Sequence, residues 1–227
     1  MPDAAVTIDV VSDVVCPWCF IGKRRLEKAR ALVPDIAVEV RWRPYQLAPD
    51  LPPEGVPRDQ YLSQKFGSLD RVRATFDRIA AVGAEDGISF AFDRIAVSPN
   101  TLNAHRLVLW ARSGGHQDAV VEALFRGYFI EGRNLADIGT LIEVGAANGL
   151  DAALLGELFA SDSDVERTQR EIASAQRIGV TGVPFFIVGE RFGIAGAEAP
   201  ETIAGAIRQA AEAEALSATE SGAAGHA

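Results

Sequence analysis

Val6-Thr7-Ile8-Asp9-Val10-Val11-Ser12-Asp13-Val14-Val15-Cys16-Pro17-Trp18-Cys19-Phe20-Ile21-Gly22-Lys23 is the stretch whose reading decides the fold. Its opening residues, Val6 to Val11, are apolar-rich and β-branched, as in a strand entering a core. From Pro17 to Leu32, Phe20, Ile21, Leu26, Ala29 and Leu32 recur at helical spacing, with Lys23, Arg24, Arg25, Lys28 and Arg30 between them. That pattern predicts an amphipathic helix with proline in its first turn, where a missing N–H costs nothing. Pro34-Asp35 breaks it, and Ala37 to Arg43 alternates apolar and charged residues as a half-buried strand does. The chain therefore opens strand, helix, strand, with Cys16 and Cys19 at the first junction.

Working outward, five of the eleven prolines fall between Pro44 and Pro57, so that stretch is read as an irregular connector. Helical spacing then dominates to about Gly179, punctuated by glycine and proline, and Ser98-Pro99 looks like a helix start. Strand character returns only at Pro184-Phe185-Phe186-Ile187-Val188, with Gly189-Glu190-Arg191 as a turn and Phe192 to Ala195 as the hairpin partner. A last helix is predicted from Pro200 to about Leu216, followed by a frayed tail. Sheet elements at both ends and helices between them predict an α/β core made of residues 1–45 and 180–216. Residues 58–179 form an all-helical insertion in it, and residues 217–227 a flexible tail.

Composition narrows the function classes. With 48% apolar and 23% charged residues the chain is of the globular kind, and its 227 residues suffice for a full core. No run approaches the roughly 18 apolar residues of a membrane span. The start lacks a basic segment and a cleavage site, which predicts no secretory signal and a cytoplasmic home. A net charge of -9 argues against nucleic acid as a partner, since phosphate backbones need a basic footprint. Apolar faces of the inserted helices serve either the core or a homodimer contact.

The cysteines are the only two in the chain and stand three positions apart. In a reducing compartment such a spacing favours catalysis or metal binding over a structural bridge. A structural disulfide would close a very short loop and constrain the unfolded chain little. Zinc needs about four ligands, and beyond the cysteines there are only His105, His116 and His226, so no metal is expected. Inert packing remains a third reading, because cysteine packs as a small hydrophobe. The chemical reading places Cys16 at the helix N-terminus, where free amides and the helix dipole favour a thiolate. Cys19, one turn on, is the more buried thiol, placed to attack Cys16 after Cys16 has attacked a substrate disulfide. Leu102, His105 and Leu109 share one helical face, so His105 is expected to be packed and hydrogen-bonded.

Asp13-Val14-Val15-Cys16-Pro17-Trp18-Cys19-Phe20-Ile21-Gly22-Lys23, with Trp42 to Leu47, Pro99 to Arg106 and Gly182-Val183-Pro184-Phe185-Phe186, resembles the FrnE-like branch of the DsbA-family disulfide oxidoreductases. The resemblance runs in order from about residue 6 to 215. It implies a thioredoxin fold with a helical insertion, and a redox-active Cys16–Cys19 pair that needs no bound cofactor. It also implies a cis peptide between Val183 and Pro184 beside that pair, and substrate contacts from Pro17, Trp18, Asn100, Val183 and Pro184. The backbone of Val183 would hydrogen-bond an extended substrate; Trp18 would either line the groove or cover the disulfide. The implied partners are a thiol or disulfide substrate, protein or small molecule, and a recycling reductant or oxidant. Similar proteins, the kappa-class glutathione transferases and 2-hydroxychromene-2-carboxylate isomerases, carry serine where Cys16 stands. Cysteine at this position, with a partner at Cys19, favours dithiol exchange over glutathione activation; glutathione is still a candidate co-substrate, and a glutathione-dependent isomerase or transferase is the alternative reading. A chaperone-like module with a redox switch is a third.

Overall fold

A computed structural model describes residues 5–224; His226 lies outside the described residues. The opening stretch folds as β1 (Val6–Ser12), α1 (Pro17–Ala31) and β2 (Val38–Pro44). β1 and β2 pair in parallel, Val6 opposite Val38 through Ser12 opposite Pro44, which is possible because α1 supplies the long crossover that parallel strands need. The hairpin near the other end forms as β5 (Phe185–Val188) and β6 (Phe192–Ala195). Its turn has positive φ at Gly189 and Glu190, and Arg191 N–H donates to the Val188 carbonyl, the geometry that matches strand twist in a tight hairpin. β5 lies antiparallel to β1, giving one mixed sheet in the order β2-β1-β5-β6.

Alternation along the strands separates two packed faces. Ile8, Val10, Phe186 and Val188 join the main core with α1 and the last helix, α9 (Pro200–Ala224). Val11 points the other way and packs with Ala175 and Val180, so that face is covered by α8 (Val165–Arg177). Between β2 and β5 also lie α2 (Arg58–Phe66), α3 (Leu69–Glu85), α4 (Leu102–Ala111), α5 (Gln117–Arg126), α6 (Ile138–Ala147) and α7 (Ala152–Phe159). A π-helical turn, Gly127–Glu131, extends α5 and buries Tyr128 and Phe129. Among the described residues no helix is long and apolar enough to cross a membrane.

α1 is tied to its surroundings by charge as well as packing. Lys23, only 3% exposed, meets Glu27 and lies 3.3 Å from both Asp118 and Glu122 on α5. Burial opposes the charge on Lys23, yet three carboxylates around it more than compensate and raise its pKa. At the other end of α1, Arg25 and Lys28 hold the buried Asp86 carboxylate at 2.7 and 2.6 Å.

Three expectations are corrected. The connector is not wholly irregular: β3 (Val56–Pro57) pairs antiparallel with β4 (Val97–Ser98), so strand structure returns well before residue 184. Two-residue strands are too short for alternation to show in a sequence. Ser98 therefore belongs to a ladder, and α4 begins only at Leu102, whose N–H is bonded by the Asn100 side chain. Finally, α9 continues past Leu216 to Ala224, consistent with its alanine-rich sequence.

Candidate functional site

Cys16 is the N-cap residue of α1, with extended φ/ψ. Its carbonyl accepts from Cys19 N–H and Phe20 N–H, so the first helical turn closes on the cysteine pair. Both cysteines are free thiols. Cys16 is 5% exposed and Cys19 1%, the order of burial expected from the sequence. The Cys16 side chain makes no capping hydrogen bond; instead its thiol donates to the Val183 carbonyl at 3.5 Å. The Val183–Pro184 peptide bond is cis, as the resemblance implies. Two ends of the chain thus meet at one sulfur.

Close approach here depends on a glycine in α1. A Cβ added at Gly22 would come within 3.0 Å of Pro184 Cγ and 3.2 Å of the Phe186 ring. The Gly22 of the quoted motif therefore sets the distance between α1 and the proline loop.

Burial pushes the Cys19 thiol well above its ordinary range, and its hydrogen bond to Cys16 and the charge of that neighbour push it further; Ser12 and the Asp13 backbone pull the other way. A thiol attacks only as thiolate. The rate at which Cys19 displaces a group disulfide-bonded to Cys16 is therefore expected to climb with pH through 7 and beyond the roughly 8.5 of a free cysteine. Stopped-flow release of a fluorescent thiol from Cys16 measures this. A plateau already reached near neutrality would show that Cys19 is not held protonated.

Behind the pair sits a polar group to which the sequence reading gave no role. Asp13 is fully buried; its Oδ2 accepts from Leu47 N–H at 2.8 Å, while Oδ1 has no hydrogen-bond partner. His105 Nε2 lies 2.8 Å from the Tyr45 carbonyl and 3.5 Å from Asp13 Oδ1. A carbonyl only accepts, so Nε2 carries the hydrogen. His105 is packed and hydrogen-bonded, as expected. The signal for Asp13 was available: one carboxylate between a buried strand and the cysteines.

The remaining predicted positions divide. Pro17 and Trp18 lie between the two cysteines in the first turn of α1, with Trp18 39% exposed. Asn100 does not reach toward the sulfurs with a free group. Its Oδ1 accepts from Gln46 and Leu102, and its Nδ2 donates to the Pro49 and Leu51 carbonyls. Those four bonds fill the capacity of a carboxamide, so Asn100 braces the proline-rich connector. Among the described residues no three His, Cys, Asp or Glu side chains converge as metal ligands.

A small mixed sheet, a helix that begins on paired cysteines and a cis-proline loop facing the first of them define a thioredoxin-fold protein with a paired-cysteine site. The chain belongs to the DSBA-like thioredoxin domain family, whose model matches residues 7–208. The solved structure of a probable DsbA oxidoreductase, SCO1869 from Streptomyces coelicolor, is 32% identical, with a TM-score of 0.83 over 90% of this chain and 89% of that one. The uncharacterized protein YwbO of Bacillus subtilis (strain 168) is 29% identical over 191 residues, 82% of this chain and 88% of YwbO. Cytosolic disulfide reductase DsbM from Pseudomonas aeruginosa with GSH shares the fold, at 22% identity and a TM-score of 0.59 over 94% of this chain and 99% of that one.

Proposed function

We propose that this protein is a thiol-disulfide oxidoreductase of the FrnE-like branch, working on the thiol pool of the cytoplasm, with Cys16 as nucleophile and Cys19 as resolving thiol. The observation that carries the reading is the pair of free thiols at the start of α1, with Cys16 Sγ 3.5 Å from the carbonyl before the cis proline. In the reducing direction the Cys16 thiolate attacks one sulfur of a substrate disulfide. One substrate thiolate leaves, and a mixed disulfide forms. The Cys19 thiolate then attacks Cys16 Sγ, forming the Cys16–Cys19 disulfide and releasing the second thiolate. Two electrons pass from the protein to the substrate, and the two protons of the cysteines go to solvent or to the released thiolates.

The redox centre is the cysteine pair itself, with no bound cofactor. Its partners are a protein or small-molecule disulfide and a thiol, with glutathione as one candidate, that restores the dithiol. Engaging Cys16 removes the proton that Val183 accepts, so the Val183 carbonyl is released to bond substrate backbone while Pro17, Trp18 and Pro184 form the surrounding contact. Asn100 contributes by bracing the connector. Serine at Cys19 is the test: mass spectrometry is expected to find the variant trapped as a mixed disulfide on Cys16 after exposure to a disulfide substrate. Unchanged turnover in that variant would overturn the resolving role and favour glutathione activation at Cys16 alone.

A further inference from the structure

Beside the start of α1 lies a hollow of about 130 Å³; a larger one of about 460 Å³ under α3 adjoins it, sharing Arg58, Leu62 and Phe76, but is lined by neither cysteine nor any residue adjacent to one. Val15 and Pro17, the chain neighbours of Cys16, line the smaller hollow together with Leu47, Leu51, Tyr61 and Phe66. The hollow is thus bordered by both chain neighbours of the nucleophilic cysteine, although Cys16 itself is not part of its wall. An apolar cavity of about 150 Å³ accepts one benzene ring, which sets the scale of the occupant.

Two cations border this apolar space. Arg58 Nη1 donates to the Tyr128 hydroxyl at 3.0 Å, and its guanidinium stands 5.0 Å from the Phe76 ring. Lys65 Nζ donates to the Tyr61 hydroxyl at 2.6 Å. Among the described residues neither meets a carboxylate, although this is a chain of net charge -9 in which Arg24, Arg25, Arg43 and Arg133 all do. Their hydrogen-bond partners are phenols and a carbonyl, which orient a cation without neutralising it. Apolar walls with unneutralised cations at the edge complement a ring or short branched chain that carries an acid group.

From this juxtaposition of apolar walls, unneutralised Arg58 and Lys65, and the residues flanking Cys16, we infer that the hollow is the substrate subsite for a small apolar carboxylate attached to sulfur, such as an aromatic carboxylate disulfide. The inference rests on the dithiol-exchange reading and names its substrate class. The reaction is the exchange already written: the disulfide accepts two electrons from Cys16 and Cys19 and leaves as two carboxylate-bearing thiolates.

The test compares two one-ring disulfides, the anionic dithiobis(nitrobenzoate) and the neutral dithiodipyridine, as substrates of the reduced protein at low salt. Lys65→Glu is expected to lower the single-turnover second-order rate constant for the anionic disulfide about tenfold, and for the neutral one less than twofold, in line with loss of a charge-assisted contact. Lys65 is exposed, so the fold should tolerate the change. Arg30→Glu, near the far end of α1, imposes the same change in net charge and should move both rates less than twofold. In parallel, benzoate is titrated against the oxidised full chain by NMR, with about tenfold weaker binding expected in Lys65→Glu. Equal losses for both disulfides, or no loss, with benzoate binding absent or indifferent to Lys65, would overturn the subsite and leave dithiol exchange intact. Lys65-dependent benzoate binding in a protein that reduces neither disulfide would uphold the subsite and overturn the exchange reading. A protein that reduces protein disulfides well, and both small ones slowly without regard to charge, would assign the exposed Trp18, Leu47 and Phe66 rim to a polypeptide instead.

Discussion

Cys16→Ser is expected to lower disulfide exchange on the order of a thousandfold or more, with the fold intact, because a hydroxyl is scarcely ionised and cannot form the mixed disulfide. Serine is nearly isosteric, and at 5% exposure the position asks for a small side chain that can donate to the Val183 carbonyl. A serine hydroxyl can do so, so denaturant unfolding should change little. The substitution also separates the two chemistries the sequence leaves open. If the site activated glutathione instead, Cys16→Ser would retain activity toward an electrophile in the presence of glutathione. Retained turnover there, together with unchanged disulfide reduction, would remove Cys16 as nucleophile. Loss of exchange in Cys16→Ser, combined with trapping in Cys19→Ser, assigns the two sulfurs different steps.

Phe20→Ala is expected to cost about 3–5 kcal/mol of stability, roughly 10 °C in Tm for a chain of this size. Phe20 immediately follows Cys19 and is fully buried. Its ring stacks on Phe125 with centroids 5.1 Å apart, meets Phe90 edge-on at 6.0 Å and approaches Phe129 at 6.3 Å. One side chain of the cysteine helix thus packs against three rings from the long segment between β2 and β5. Its removal leaves a cavity where α1 and that segment meet, and it loosens the helix on which both thiols are mounted. Leu32→Ala, at a position 45% exposed, should stay within about 0.5 kcal/mol. Guanidinium unfolding of both variants measures the difference. A Phe20→Ala cost below about 1 kcal/mol would mean that α1 is held by its ion pairs rather than by this ring cluster.

Much of the architecture was legible because each element carries its own period. β1, α1 and β2 announced themselves by alternation and by helical spacing, and the β5–β6 hairpin by its Gly189-Glu190 turn. The β3–β4 ladder was not legible, since a two-residue strand has no period and its pairing joins residues some forty positions apart. The start of α4 was misplaced for a related reason: Ser98 has the chemistry of a cap but spends its backbone in that ladder, and Asn100 serves the first turn instead. In the site, Cys16 and Cys19 were visible from composition and spacing. Asn100 was visible only as part of a motif, and its four hydrogen bonds to the connector and to α4 are long-range or loop geometry that no local pattern encodes.

The sequence by itself determined the opening strand-helix-strand unit, the position of both cysteines at the head of a helix, and their unequal burial. These are local consequences of side-chain period, proline placement and helix-end chemistry. Only the tertiary structure decided what each thiol faces. It sets Cys16 against the carbonyl of Val183, far along the chain, through the antiparallel pairing of β5 with β1 and the glycine at position 22 that lets Pro184 come close. It also leaves Asp13 Oδ1 buried without a partner and places Arg58 and Lys65 beside the hollow next to Pro17. Such contacts depend on how distant segments share one core, and that is a property of packing and not of any single stretch of residues.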